Sequence, residues 1–219
     1  MKIGTDGVLL GAWTSIKKNP NSILDIGTGT GVIALQLAQQ SDAELIDALE
    51  IDADAFEQAV ANFEGSIWND RLFCYHVSLL EFTQEVDDKY DLIVSNPPFY
   101  TDTYQSENKE RTKARSTKSL SFENLLLCVS KLLAVNGIFS VIIPFKEERH
   151  FISLAEKNNL HINKICRVKG SHTSEIKRSL MEFSFYKKEV EITYLTIETE
   201  RHQYTENYQN LVKDFYLKM

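Results

Sequence analysis

The apolar run Ser22-Ile23-Leu24-Asp25-Ile26 stops at a turn with glycine at 27, 29 and 31, and passes straight into residues 32–40, where Ile33, Ala34, Leu37 and Ala38 recur at helical spacing. Strand, glycine turn and helix in immediate succession is the opening of a βαβ unit, and the rest of the chain repeats it. Residues 44–52 read as a second strand, after which Asp52 or Asp54 can cap a helix with Phe56, Ala59, Val60 and Phe63 on its apolar face. Residues 71–77 and 91–95 are further strands, the latter closed abruptly by Asn96-Pro97-Pro98. A helix over 121–135 is expected to end at Asn136-Gly137 and lead into an apolar strand over 138–145. Buried strands alternating with helices imply an α/β fold, its mostly parallel sheet covered on both faces.

The last third has a different texture. Residues 161–168 and 180–188 alternate apolar and polar side chains across a polar loop, the pattern of an antiparallel hairpin at one sheet edge. The segment 204–217 places Tyr204, Tyr208, Leu211, Val212, Phe215 and Tyr216 on one helical face, which should dock on the body. With no repeat or linker, the 219 residues are expected to form one domain. No apolar run approaches the ~18 residues needed to cross a bilayer, and the N-terminus lacks signal-peptide architecture, so the cytoplasm is the expected compartment. Cys74, Cys128 and Cys166 are widely spaced, with no histidine at ligand spacing, and read as small core residues; no metal site is expected.

A net charge of −7 argues against coating nucleic acid by bulk electrostatics. Two stretches run against that total. Lys109, Arg111, Lys113, Arg115 and Lys118 face only Glu110 in 109–118, and Lys164, Arg167, Lys169, Lys177 and Arg178 face only Glu175 in 164–178. Either stretch alone reads as a solvated loop; two of them flanking one site read as a phosphate-binding surface for RNA.

The chemistry gathers at three places. Glycines between a strand and a helix let a ligand approach the backbone and leave helix N–H groups free, but the third glycine comes one residue early for a dinucleotide fingerprint. Asp25 also sits badly beside a pyrophosphate and well beside an ammonium group, so a zwitterionic, phosphate-free cofactor fits Asp25, Gly27 and Gly29 better than NAD. Glu50, at the end of the second strand, stands where such folds present an acid to ribose hydroxyls, while Asp52 has a sufficient reason as a helix cap. In Asn96-Pro97-Pro98-Phe99 two prolines remove two backbone donors and leave carbonyls free to accept. The Asn96 side chain and the Pro97 carbonyl can accept both hydrogens of a target NH₂ while Phe99 stacks on the attached planar group.

These motifs resemble those of the Rossmann-like S-adenosylmethionine methyltransferases that carry an Asn-Pro-Pro-aromatic sequence. With residues 2–13 (KIGTDGVLLGAW), 24–31, 48–52, 91–99 and 204–217, the chain is similar along its length to the bacterial family that methylates N6 of the adenine beside the anticodon of a valine tRNA. The resemblance implies a seven-stranded sheet, S-adenosylmethionine as cofactor and tRNA as partner. It further implies that Thr5 and Asp6 lie near the methionyl end, that Asp25, Gly27 and Gly29 line the cofactor, and that Glu50 holds the ribose. Where many relatives carry an acid for the adenine amino group, this chain offers Ser78, whose hydroxyl can accept the same bond. Relatives also carry a further stretch ahead of the segment that begins this chain; either translation starts upstream or an N-terminal strand is lacking. A protein glutamine amide and the N2 group of a guanine in ribosomal RNA are rival substrates with the same amino geometry. An inactive cofactor-binding protein is the non-enzymatic alternative, against which Asn96 and Phe99 stand.

Overall fold

The computed structural model describes residues 4–98 and 120–216. Helix α1 (Thr5–Trp13) precedes β1 (Ser22–Ile26), and the alternation continues through α2 (Val32–Gln40), β2 (Leu45–Glu50), α3 (Ala53–Glu64), β3 (Leu72–His76), α4 (Leu79–Glu85) and β4 (Tyr90–Ser95). After residue 119 come α5 (Phe122–Leu132), β5 (Leu133–Pro144), a 3₁₀ turn (Phe145–Glu147), α6 (Glu148–Lys157), β6 (His161–Ser171), β7 (Ile176–Ser184), β8 (Glu191–Glu200), β9 (Gln203–Tyr204) and α7 (Glu206–Val212).

The nine strands among the described residues form one sheet in the order β3-β2-β1-β4-β5-β7-β6-β8-β9. The sheet is mostly parallel, with β7 antiparallel to both β5 and β6, and β9 antiparallel to β8. Side chains alternate across it as strand geometry requires. Ile23, Ile46, Leu92, Val94, Ile142 and Leu180 share one core with Leu9 and Leu10 of α1, Leu37 of α2, Phe63 of α3, and Tyr208 and Val212 of α7. Leu24, Ile26, Leu49, Ile93, Phe139 and Met181 share the other with Phe82 of α4, Leu126 and Val129 of α5, and Phe151 of α6. Each such buried side chain contributes roughly 1.5–3 kcal/mol relative to exposure, so both faces are firmly anchored. Across the second core the hydroxyl of Tyr90 donates to Asp47 Oδ2 at 2.6 Å, tying β4 to β2 on either side of β1. No helix among the described residues is long and apolar enough to cross a membrane.

Three expectations need correcting. Among the described residues the sheet has nine strands rather than seven, because β8 and β9 extend it beyond the hairpin, which is therefore interior. In β8 only Leu195 is buried; backbone pairing to β6, not an apolar stripe, holds the strand. Asn136-Gly137 does not end a helix. Helix α5 stops at Leu132, and the pair lies within β5, where the register on β4 shifts between Tyr90 and Leu92. In the last segment Tyr204 belongs to β9, and only residues 206–212 are helical; Tyr208 and Val212 are buried as the apolar face predicts.

Candidate active site

The carboxyl ends of β1, β2 and β4 meet at the top of the sheet. Gly27, Gly29 and Gly31 all take positive φ, which lets the chain leave β1 and re-enter as α2 within a few residues. Gly27 N–H and Thr28 N–H donate to the Leu49 carbonyl at 2.9 and 3.0 Å, and Gly29 N–H donates to Glu50 Oε2 at 2.8 Å. The other oxygen of Glu50 accepts from Ile51 N–H (2.8 Å) and Asp52 N–H (2.9 Å). Glu50 is therefore oriented entirely by backbone donors beside the glycine loop. Asp52 caps α3, its side chain accepting from Ala55 N–H at 3.0 Å.

Asp25 is fully buried beneath this loop. Thr28 Oγ1 donates to its Oδ2 at 2.6 Å, while Oδ1 has no hydrogen bond of good geometry among the described residues. Burial pushes the Asp25 carboxyl up to about 7, against the Thr28 hydroxyl and the Ala34 N–H, with the Glu50 charge adding to the rise. Above it, space is open around Gly27, where a β-carbon would meet nothing within 4 Å. A buried acid with one oxygen unsatisfied under an open glycine turn, with a second acid alongside, fits a ligand carrying an ammonium group and a ribose, and so fits S-adenosylmethionine.

A pH dependence follows with a definite sign. Between its ordinary value of 3.8 and about 7, Asp25 holds a proton in the folded chain that the unfolded chain has released. Its contribution is thus fully present below pH 4, lost as pH rises toward 7, and constant above; a shift of that size corresponds to on the order of 4 kcal/mol. Asp25→Asn should remove this component of the slope. Urea unfolding of both proteins between pH 5 and 8 measures it, and parallel slopes would show that Asp25 is ionised throughout.

Ser95 pairs with Ile26, so Asn96 and Gly27 leave their strands side by side. Asn96 is half-buried, Pro97 buried and Pro98 exposed. The Ser95 hydroxyl donates to the Ile26 carbonyl at 2.9 Å, fixing the point of exit. Phe99 falls outside the described residues, as do Lys109, Arg111, Lys113 and Arg115.

The start of α1 reaches the same region. A β-carbon at Gly7 would lie 3.2 Å from Val32 Cγ1, so Thr5 and Asp6 stand close to the beginning of α2, with Thr5 exposed. Asp6 Oδ2 accepts from Arg178 Nε at 2.7 Å, which joins α1 to β7 and commits one edge of a guanidinium expected to face phosphate. Lys169 is half-buried near the end of β6, and Lys177 is exposed with its ammonium 3.8 Å from Glu175.

Ser78 caps α4 in a capping box: Glu81 N–H donates to its hydroxyl, which donates to Glu81 Oε2 at 2.5 Å. That hydrogen bond holds the exposed Glu81 carboxyl below its ordinary range. Glu81 is not among the residues expected at the site, although Ser-x-x-Glu at 78–81 is a legible signature of the box. Nor is Thr28, whose partner is apparent only once the turn closes on Asp25. Among the described residues no group of three or more His, Cys, Asp or Glu converges as metal ligands. Cys128 and Cys166 are buried as expected, whereas Cys74 on the edge strand β3 is only half-buried.

Fold and site together define a Rossmann-like methyltransferase. The methyltransferase small domain family matches residues 7–131. A predicted O-methyltransferase from Agrobacterium tumefaciens shares the fold with a TM-score of 0.71 at 17% identity, over 95% of this chain and 96% of that one. The ribosomal protein L11 methylase from Lactobacillus delbrueckii subsp. bulgaricus does so with 0.56 at 19%, over 81% and 76%. More narrowly, the chain belongs to the tRNA1(Val) (adenine(37)-N6)-methyltransferase family. It is 57% identical to the member from Christiangramia forsetii, over all of this chain and 92% of that protein. Identity to the Flavobacterium psychrophilum member is 58% over 100% and 94%, and to the Pectobacterium carotovorum member 40% over 100% and 88%.

Proposed function

We propose that this methyltransferase transfers a methyl group from S-adenosylmethionine to N6 of adenine 37 in tRNA1(Val), in the cytoplasm. The observation that carries the reading is the side-by-side exit of Gly27 and Asn96 above the buried, half-satisfied Asp25. A site for a cationic amino acid group then adjoins a site for an amino substrate. Bound there, S-adenosylmethionine would supply an electrophilic methyl carbon.

Each residue then has a defined task. Asp25 draws the ammonium group toward the loop, and Glu50, already oriented by three backbone N–H groups, can accept from ribose hydroxyls without reorganising. Ser78, at the start of α4, retains an acceptor lone pair for the adenine amino group of the cofactor. Asn96 Oδ1 and the Pro97 carbonyl accept the two N–H bonds of the target amino group. That turns the nitrogen lone pair out of conjugation and toward the methyl donor, while Phe99 stacks on the base. Rate enhancement comes from positioning and fixed dipoles, with no covalent intermediate, and the surplus proton leaves the nitrogen after transfer. Lys169, Lys177 and Arg178, with Lys109, Arg111, Lys113 and Arg115, supply positive charge to the tRNA backbone. The substrate assignment is supported by full-length similarity to relatives that bear this name.

The test is incubation with labelled cofactor and unmodified tRNA1(Val), followed by nucleoside digestion. Label in N6-methyladenosine at position 37 is the expected result. Label at guanosine N2 or in a protein glutamine would overturn the substrate, and absence of incorporation despite cofactor binding would overturn the activity.

A further inference from the structure

Two to four strands beyond β4, which carries the substrate turn, β7, β6 and β8 bring Ser179, Arg167 and Tyr194 to one level. Glu148, the first residue of α6, is buried at 4% exposure against them. Its carboxylate accepts from Arg167 Nη2 at 2.7 Å, from Arg167 Nε at 3.2 and 3.3 Å, and from the Ser179 hydroxyl at 2.5 Å. The guanidinium so held lies 5.6 Å from the ring centre of Phe145 and 6.0 Å from that of Tyr194, and its Nη1 donates to the Tyr194 hydroxyl at 3.3 Å. Tyr194 itself is 60% exposed, the most exposed aromatic side chain among the described residues.

Burying a carboxylate with a guanidinium is expensive and adds little net stability. What this arrangement achieves is a rigid support beneath a ring whose remaining surface stays in water. Arg149 follows Glu148 in the chain and Lys169 lies two residues beyond Arg167, cations that suit a polyanion despite the net charge of −7, while Lys146 is partly offset by Glu147 at 3.8 Å. Through the strand registers Tyr194 is level with Ile143, two residues past the partner of Ser95, and so with the height that β4 reaches at Pro97. Four strand spacings, about 19 Å, separate the two positions along the sheet. Nucleotides a few positions apart in one RNA loop can span that distance.

We infer that Tyr194, supported by Arg167, is a stacking platform for an unpaired base of the RNA substrate, a few nucleotides from the one that enters the Asn96 turn. The inference rests on the RNA reading of the site. An aromatic face backed by a fixed guanidinium suits any base, because every base has a π face, and rigidity lowers the ordering cost of binding.

The experiment measures tRNA affinity by fluorescence anisotropy, steady-state methylation of tRNA, and S-adenosylhomocysteine affinity by calorimetry. Loss of one base stack corresponds to about a five- to hundredfold effect. Tyr194→Ala should therefore weaken tRNA binding and raise KM for tRNA by that factor, with kcat at saturating tRNA and S-adenosylhomocysteine affinity unchanged. Tyr194→Thr, which suits a strand, should behave alike if the alanine variant folds poorly. Tyr194→Phe and Tyr194→Trp should stay within about twofold of the native protein because they keep the ring face. An unchanged KM in the folded alanine or threonine variant would overturn the inference while tRNA methylation stands. So would an equal loss in Tyr194→Phe, which would assign the effect to the hydroxyl. If the native protein methylates a protein and not tRNA, the RNA reading falls and the platform with it, an outcome visible before any variant is made.

Discussion

Asn96→Ala is expected to lower methyl transfer at saturating tRNA by about 10²–10³-fold, the usual effect of losing one preorganised polar contact to a transition state. The effect should fall on turnover and leave cofactor affinity intact, because the groups proposed to hold the cofactor, Asp25, Glu50 and the glycine turn, are fixed by bonds that do not involve the Asn96 side chain. The backbone at this point is pinned independently, through the Ser95 hydroxyl on the Ile26 carbonyl and the parallel pairing of β4 with β1. Truncation beyond Cβ therefore removes an acceptor without displacing the turn. The lone pair of an exocyclic amine is delocalised into its ring, and only an acceptor placed against its N–H bonds turns it toward a methyl donor. Single-turnover incorporation of label, read beside calorimetric S-adenosylhomocysteine binding, separates the two effects. Near-native turnover in Asn96→Ala would remove this side chain from the mechanism and leave the Pro97 carbonyl as the acceptor.

Gly31→Ala should destabilise the protein by roughly 2–5 kcal/mol, because two costs fall on the same atom. Gly31 stands at φ +82° as the cap of α2, a left-handed conformation that costs an L-residue about 1–2 kcal/mol. Its β-carbon would also lie 2.4 Å from Cε1 of Phe63, a side chain only 2% exposed in the core under α3. Packed aromatic rings give way poorly, and overpacking of this kind costs about 1–3 kcal/mol more. For a chain of this length each kcal/mol lowers Tm by roughly 2–4 °C, so a drop on the order of 10 °C is expected. The same displacement would move the glycine turn against Asp25 and weaken cofactor binding. Thermal unfolding followed by circular dichroism, together with a Phe63→Leu, Gly31→Ala double variant, tests the cause. If trimming the ring restores none of the loss, the backbone conformation alone is responsible.

Much of this was legible in the residues because it is local. A glycine turn between an apolar run and a helical one needs only steric rules, and the Asn-Pro-Pro sequence announces its missing donors wherever it stands. Asp52 as a cap and the apolar face carrying Tyr208 and Val212 follow from spacing alone. Other features were decided by pairing between distant segments. Strand β8 buries only Leu195, so no periodicity announces it, and it exists because β6 offers an open row of backbone donors and acceptors. Asn136-Gly137 reads as a helix stop, yet the register demanded by Tyr90 and Leu92 on β4 places it within β5. Arg167 and Arg178 look alike in a basic stretch. The sheet turns one toward Glu148 and Tyr194 and the other toward Asp6, because neighbouring strands and opposite faces choose a long side chain's partner, which its own position in the chain does not. By itself the sequence determined the alternating fold and the residue types of the site; the tertiary structure decided which carboxylates lost their water, since desolvation depends on everything packed around a group and only the assembled core buries Asp25 completely.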